Sequence, residues 1–195
     1  MYKPDPLPRR FYARPAVEVA RALLGTYLVH GDAVARIVET EAYLGLSDAA
    51  SHAFRGVTPR TKVIFGPPGH AYVYLIYGMY HCLNIVAEPE NSPGCVLIRA
   101  VEIPGHPPES GKGPGRLTRA LDINLRQNGA DVTRGAFTVH APSRPPKFDV
   151  GVSPRIGLRD NADWPLRFFV AGNHSVSGPR FLNQVFGKQL EKNQP

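Results

Sequence analysis

Hydrophobic and polar positions alternate most regularly over residues 36–45, RIVETEAYLG. This period of two predicts a β-strand with Ile37, Glu39, Glu41 and Tyr43 on one face and Val38, Thr40 and Ala42 on the other. Two carboxylates and a phenol on one strand face are unusual, because glutamate is depleted in strands and costly to bury unpaired. Side chains two apart on a strand are separated by about 6.5–7 Å. One small substrate can therefore meet Glu41 and Tyr43 together. A half-exposed strand with its polar face in water fits this stretch equally well.

Residues 69–86, GHAYVYLIYGMYHCLNIV, read as a hairpin. Tyr72, Tyr74 and Ile76 share a face of its first strand; Cys82, Asn84 and Val86 share one of the second. The turn falls at Tyr77-Gly78-Met79, with Tyr80 beside it. Water-facing tips favour Asn-Gly or Asp-Gly, whereas this tip is flanked by large apolar groups. Something is expected to cover it: the core, another subunit, or stacked bases between which aromatic and methionine side chains can wedge.

The rest of the pattern is less regular. Pro15 suits the first turn of a helix carrying Val17, Ala20 and Leu24 on one side and stopping at Gly25. Strands over 26–29 and 33–43 flank the turn-like His30-Gly31-Asp32. Residues 94–101 form a further strand whose only charge, Arg99, requires a carboxylate partner if buried; the Glu39/Glu41 strand is the obvious supplier. A short helix is expected near 116–121 and a closing strand over 165–170, with Trp164 at its start. Residues 1–10 read as an irregular arm, and 47–65 as a long polar loop with one short helix. Residues 141–154 look like a Pro-rich loop, 154–158 like a short extended piece, and the chain from 188 onward like a frayed tail. Several strands without strict strand–helix alternation argue against a doubly wound sheet. The expected fold class is α+β: a single mixed domain over residues 1–195 on a curved antiparallel sheet, with Glu41 in its cleft and the 71–86 hairpin protruding.

Charge narrows the partners. The chain has 23 Lys+Arg against 16 Asp+Glu in 195 residues, a formal net charge of +7. That points to a polyanion, either nucleic acid or an acidic membrane surface. No apolar run approaches the roughly 18–20 residues of a membrane span, and the amino terminus lacks the apolar segment of a secretory signal. Cys82 and Cys95 sit in apolar runs and read as small buried hydrophobes of a reducing, cytoplasmic compartment. Seven histidines and two cysteines fall into no familiar ligand spacing, so no metal is expected. Lys112 follows a glycine as in a phosphate loop, but Gly113 stands where Ser or Thr is required, and that reading is rejected. The amides at the start of the 116–121 helix, with Lys112, Arg116 and Arg119, suit a DNA phosphate. Arg55, Arg60 and Lys62 give the 47–65 loop the same character.

Long runs now combine into a recognisable whole. IVETEAYLG (37–45), DAASHAFRGVTPRT (48–61), FGPPGHAYVYLIYGMYHCLNIV (65–86) and CVLIRAVE (95–102) closely resemble the alkyladenine (3-methyladenine) DNA glycosylase family. The shorter GPGRL (113–117), RIG (155–157) and PLRFFV (165–170) follow in the family's order. The resemblance implies that Glu41 activates the attacking water, which Arg99 and the Ile156 carbonyl help to hold. It implies that Tyr43, His52 and Tyr74 line the pocket for an extruded base and that Asn84 discriminates between purines. Tyr77 would intercalate, with Met79 beside it. Glu39 is favoured as a structural or charge-balancing partner, and His81 is given no role.

The implied activity is that of a monofunctional, cofactor-independent glycosylase of base excision repair, acting as a monomer. It would flip alkylated or deaminated purines (the 3-methyladenine, 7-methylguanine, hypoxanthine and etheno-adenine class) out of double-stranded DNA. Hydrolysis of the N-glycosidic bond would then leave an abasic site. Two rivals stand beside it. One is a non-catalytic nucleic-acid binding module using the same basic loops and tyrosines; the other is a hydrolase of free nucleosides or sugars.

Overall fold

A computed structural model describes residues 2–89, 92–145 and 147–184. Its centre is β3 (Ala33–Tyr43), eleven residues long and hydrogen-bonded along both edges. One edge carries β6 (Gly94–Glu102) over nearly the whole strand. The other is shared: β2 (Tyr27–His30) pairs with residues 33–36, and β9 (Arg167–Val170) with Glu39, Thr40 and Glu41. The nine-stranded antiparallel sheet has the order β1-β7-β2-β3-β6-β5-β4, with β8 (Val150–Ser153) joined through β9. Here β1 is Tyr2–Pro6, β4 Ala71–Ile76, β5 Tyr80–Ala87 and β7 Phe137–Pro142. The helices are short: α1 (Arg9–Tyr12), α2 (Ala16–Leu23) and α3 (Pro114–Ala120). Sheet and few helices make this the α+β architecture expected.

Two irregularities in the β3–β6 ladder place the chemistry. Ile37 pairs with Val101 and Glu39 with Ala100, which leaves Val38 as an extra residue on β3. Glu39 pairs with Ala100 and Thr40 with Ile98, leaving Arg99 as an extra residue on β6. Bulges of this kind re-aim side chains. Ile37 is accordingly a core residue together with Val38, and does not share the face of Glu39 and Glu41 as simple alternation predicts. Residues 37–42 are all fully buried, so the half-exposed strand is ruled out.

Helix α2 lies over β3 and β6 and buries Ala16, Val19, Ala20 and Leu23. The buried side therefore starts from Ala16, a quarter-turn from the expected Val17/Ala20/Leu24 stripe; Val17 is only partly buried, and Leu24 is buried beyond the helix end. Gly25, at φ 80°, makes the stop.

Of the expected irregular arm over 1–10, the described residues 2–10 form β1 and the start of α1. β1 covers the edge of β7, Leu7 donates its amide to the Val139 carbonyl at 2.7 Å, and Arg9 reaches Asp131 at 2.7 Å. Prolines are tolerated in such an edge strand because their missing N–H need not face a partner. The 141–154 loop is likewise shorter than expected, since it holds the end of β7 and all of β8. Residues 154–158 form no strand. The loop over 47–65 contains parts of three 3₁₀ turns, Gly45–Ser47, His52–Arg55 and Lys62–Phe65, and the helix expected at 116–121 begins at Pro114. The tail from 188 lies outside the described residues. Among the described residues, no helix is long and apolar enough to cross a membrane.

Candidate active site

Burying Glu39 and Glu41 demands partners, and the sheet supplies them from neighbouring strands. Glu39, which pairs with Phe169 of β9, is held by Arg167 two residues before it on that strand, with Nε to Oε1 at 2.6 Å. The Ser177 amide donates to Oε2 at 2.6 Å and its hydroxyl to Oε1 at 3.0 Å. Arg167 is itself fully buried, and its remaining donors go to Ser153, Ser177, Leu182 and Asn183. With every donor committed to the fold, Glu39 and Arg167 form a structural hub.

Glu41 is held differently. Its Oε1 accepts the Ile156 amide at 2.8 Å and lies 3.4 Å from Arg99 Nη1. Its Oε2 accepts the Tyr43 hydroxyl at 3.0 Å. Arg99 stands between the two acids; its Nε is 3.1 Å from Glu39 Oε1 but off the hydrogen-bond axis. The carboxylate partner expected for Arg99 is thus present twice. Burial pushes the Glu41 carboxyl above its ordinary value, while Arg99 and the Ile156 amide pull it down, Glu39 pushes it up and Tyr43 pulls it down. Desolvation, with Glu41 beside it, drives the Tyr43 phenol well up, so it is a hydrogen donor at neutral pH.

Around this carboxylate lie two adjoining cavities. The larger, about 370 Å³, is bordered by Tyr43, Arg99 and Ile156 and also by Tyr77 and Tyr80 of the hairpin. Glu41 is fully buried and does not border it, but three of its neighbours do. The smaller, about 160 Å³, shares Tyr43, Tyr74, Ile76 and Leu158 with the first and adds His52, Tyr72, Asn84 and Cys95. Together they join the predicted Tyr43, His52, Tyr74, Tyr77, Asn84, Arg99 and Ile156 into one cleft, with Glu41 behind its wall; Met79 borders neither cavity.

The walls of the smaller cavity are fixed by hydrogen bonds. His52 Nδ1 pairs with the Tyr72 hydroxyl at 2.9 Å, and the His52 ring meets Tyr74 edge-on at 4.6 Å. Desolvation of the ring against Tyr72 and Tyr74, reinforced by Arg60, lowers the His52 pKa, although the residue as a whole is exposed. Asn84 is buried; its Nδ2 donates to the Tyr72 carbonyl at 3.2 Å, and the Cys95 thiol approaches its Oδ1. Tyr72 belongs to the site without having been singled out by its sequence, although alternation puts it on the Tyr74 face.

At the hairpin tip, Ile76 pairs with Tyr80 across three residues, and Met79 donates its amide to the Ile76 carbonyl at 3.2 Å. Tyr77 (φ 53°) and Gly78 (φ 68°) both sit in the left-handed region. Hairpin turns of this sign normally carry Asn-Gly; a tyrosine there is strained. Tyr77 is 84% exposed and Met79 65%. The tip neither folds back on the core nor is covered by any described residue.

The basic residues divide. Arg60 lies over the Tyr74 ring at 5.0 Å, Arg116 borders the larger cavity, and Arg119 lies 5.7 Å from the Tyr80 ring centre. Arg55 and Lys62 are exposed on the 3₁₀ turns and border neither cavity. Lys112 donates its ammonium to the carbonyl of His174, a residue bordering a separate cavity at the far end of β3.

Comparison with known proteins gives the family to which these segments belong. The family profile described as Methylpurine-DNA glycosylase (MPG) matches residues 10–174. A protein of Legionella pneumophila (strain Corby), named "Putative 3-methyladenine DNA glycosylase", is 46% identical over 178 residues, covering 88% of this chain and 97% of that one. Proteins of the same name from Anaeromyxobacter dehalogenans (strain 2CP-1 / ATCC BAA-258) and Myxococcus xanthus (strain DK1622) are 49% and 46% identical. Each match covers 89% of this chain, and respectively 86% and 94% of the relative. Similarity of this extent takes in every segment that builds the cleft, and the chain belongs to the methylpurine-DNA glycosylase family.

Proposed function

We propose that this DNA N-glycosylase extrudes a damaged purine from double-stranded DNA into the cleft, where Glu41 deprotonates the water that attacks C1′ of its sugar. The observation that carries the reading is the single cavity bordered both by the Glu41 hydrogen-bonding partners Tyr43 and Ile156 and by an exposed, strained Tyr77. Family membership sets aside a silent binding module, and the basic rim and protruding tip favour a duplex over a free nucleoside.

The physical steps follow from the groups present. C1′ cannot be reached inside the stack, so the nucleotide must leave it, at a cost of a few kcal/mol. Tyr77, with Met79 beside it, fills the gap and offsets part of that cost. The extruded base enters between Tyr43 and Tyr74, with His52 at its edge. A purine alkylated at N3 or N7 is cationic, and aromatic faces attract it. The lowered His52 pKa favours the neutral ring, which adds no repulsion. Asn84, locked by Tyr72 and Cys95, presents a fixed amide that tells purines apart by their exocyclic groups. As the glycosidic bond breaks, its electron pair leaves with the base (a cationic purine departs neutral, while hypoxanthine or etheno-adenine takes up a proton from solvent). The ionised Glu41 stabilises the oxocarbenium-like sugar and takes the proton of the water that bonds to C1′. Arg99 and the Ile156 carbonyl orient that water. Arg60, Arg116 and Arg119 hold phosphates around the opening, with Arg55 and Lys62 further out. All these groups come from one chain, so a monomer suffices.

The test is base release from duplexes carrying 3-methyladenine, 7-methylguanine, hypoxanthine or etheno-adenine, with wild type and Glu41→Gln in parallel. Glu41→Gln is expected to bind lesion DNA and release no base. Continued excision by that variant would overturn the assignment.

A further inference from the structure

We propose that Arg155, clamped on Asp48, is a positioning residue for base release: it fixes the Tyr43 ring and the Ile156 amide, the two donors that hold Glu41. The inference rests on the reading of Glu41 as the base and extends it to residues outside the cavity.

The clamp is fully internal. Arg155 and Asp48 side chains are both wholly buried. Arg155 Nη1 donates to Asp48 Oδ2 and to the Ala42 carbonyl at 3.0 Å; Nη2 donates to Asp48 Oδ1 at 2.9 Å. The guanidinium lies over the Tyr43 ring at 4.6 Å. Asp48 also accepts the Leu44 amide at 3.2 Å, the Ala50 amide at 3.1 Å and Asn161 Nδ2 at 3.2 Å. Burial alone would raise its carboxyl, but Arg155 first, then Asn161 and the Leu44 amide, hold it below the ordinary range.

The consequence is geometric. Tyr43 is gripped at three points: the carbonyl before it by Arg155, its ring face by the same guanidinium, and the amide after it by Asp48. Its hydroxyl is thereby aimed at Glu41 Oε2. On the other side, the residue that follows Arg155 donates its amide to Glu41 Oε1. One arginine thus governs both hydrogen bonds that stabilise the ionised carboxylate. Asp48, through Ala50, also anchors the chain two residues before His52. Burying an ion pair costs several kcal/mol per ion before its attraction is counted. A flat fork that binds a carboxylate twice, takes a carbonyl and stacks on a ring is a task lysine cannot perform.

The experiment compares Arg155→Lys and Asn161→Ala in the full chain, by single-turnover base release from a duplex carrying hypoxanthine. Lesion-duplex affinity and the pH–rate profile are measured alongside. Arg155→Lys is expected to slow release at least tenfold while affinity stays within threefold. Its acid limb should move to higher pH, because Glu41 loses well-aimed donors to its ionised form. Asn161→Ala, which removes one bond to Asp48, should shift the rate about threefold and the limb the same way. Introduced into Tyr43→Phe, Arg155→Lys should cost less than in wild type, since part of its action runs through that hydroxyl. A folded Arg155→Lys with unchanged rate and limb, beside an inactive Glu41→Gln, overturns the clamp alone. A rate loss explained by weaker binding overturns it too. If Arg155→Lys does not fold, Asn161→Ala decides, and an unmoved limb refutes the proposal. Base release by Glu41→Gln would remove the underlying reading, and the clamp's role with it.

Discussion

At the scale of single residues, Glu41 sets stability against chemistry. Burial raises its pKa, so the folded chain holds this proton more tightly than the unfolded chain does. Stability therefore falls as pH rises from the ordinary 4.5 through the raised value, and above it the full cost persists. Glu41→Gln carries no such cost and can still accept the Ile156 amide. Its melting temperature at pH 7 should equal or exceed wild type; a gain of about 1 kcal/mol would read as about 2–4 °C. A scanning calorimeter checks this, and a clear drop would mean the charge itself holds the fold together. The same pKa governs activity with the opposite sense. With Glu41 as the proposed base, release requires its ionised form, so the rate should fall about tenfold per pH unit below a midpoint above 4.5. Sequence alone exposed Arg99 because a lone charge in an apolar strand must be paired. The same rule applied to PLRFFV points to Arg167. Asp48 and Arg155 were harder: they stand in loops 107 residues apart, where a charge is normally solvated.

At the scale of elements, the β4–β5 hairpin was the most legible feature, because alternation on both strands brackets a short Gly-containing turn. Its strain was not legible, since a φ of 53° at Tyr77 has no signature in composition. That strain predicts a separation of stability from function. Asparagine tolerates the left-handed region, so Tyr77→Asn should keep or raise the melting temperature. Loss of one aromatic stacking platform is worth about 1–3 kcal/mol per base, so lesion-duplex binding should weaken about 5- to 150-fold. Calorimetry and a fluorescence-anisotropy titration of the variant decide together; a collapse in stability with intact binding would make Tyr77 a packing residue. β1 and β7 stayed hidden for different reasons. β1 is an edge strand whose prolines in YKPDP mask the alternation, whereas β7 lies between β1 and β2 with residues 137–140 all buried, so it shows no alternation to read. The two bulges between β3 and β6 depend on which strand pairs with which, and no single segment carries that information.

At the scale of the whole molecule, the sequence's excess of positive charge becomes a position. Arg60, Arg116 and Arg119 lie beside cavity walls built from Tyr74, the α3 start and Tyr80, whereas Lys112 is tied to the His174 carbonyl beyond the cleft. Net charge foretold a polyanion but not which cations face it, because that choice is made by the sheet and the loops folded over it. Each cation that meets a phosphate releases condensed counterions, contributing about 0.9 to the slope of log affinity against log salt on duplex DNA. Alanine at Arg60, Arg116 or Arg119 should therefore lower that slope by about one for each phosphate no longer neutralised, for damaged and undamaged duplexes alike. Alanine at Lys112 should leave it unchanged. Titrations of wild type and the four variants between 50 and 200 mM salt, a range where several neutralised phosphates change affinity by about 10³-fold or more, make the comparison. A slope that drops for Lys112→Ala and holds for the three arginines would put the duplex on the far face, away from Tyr77, and the cleft could then not be where the base is received.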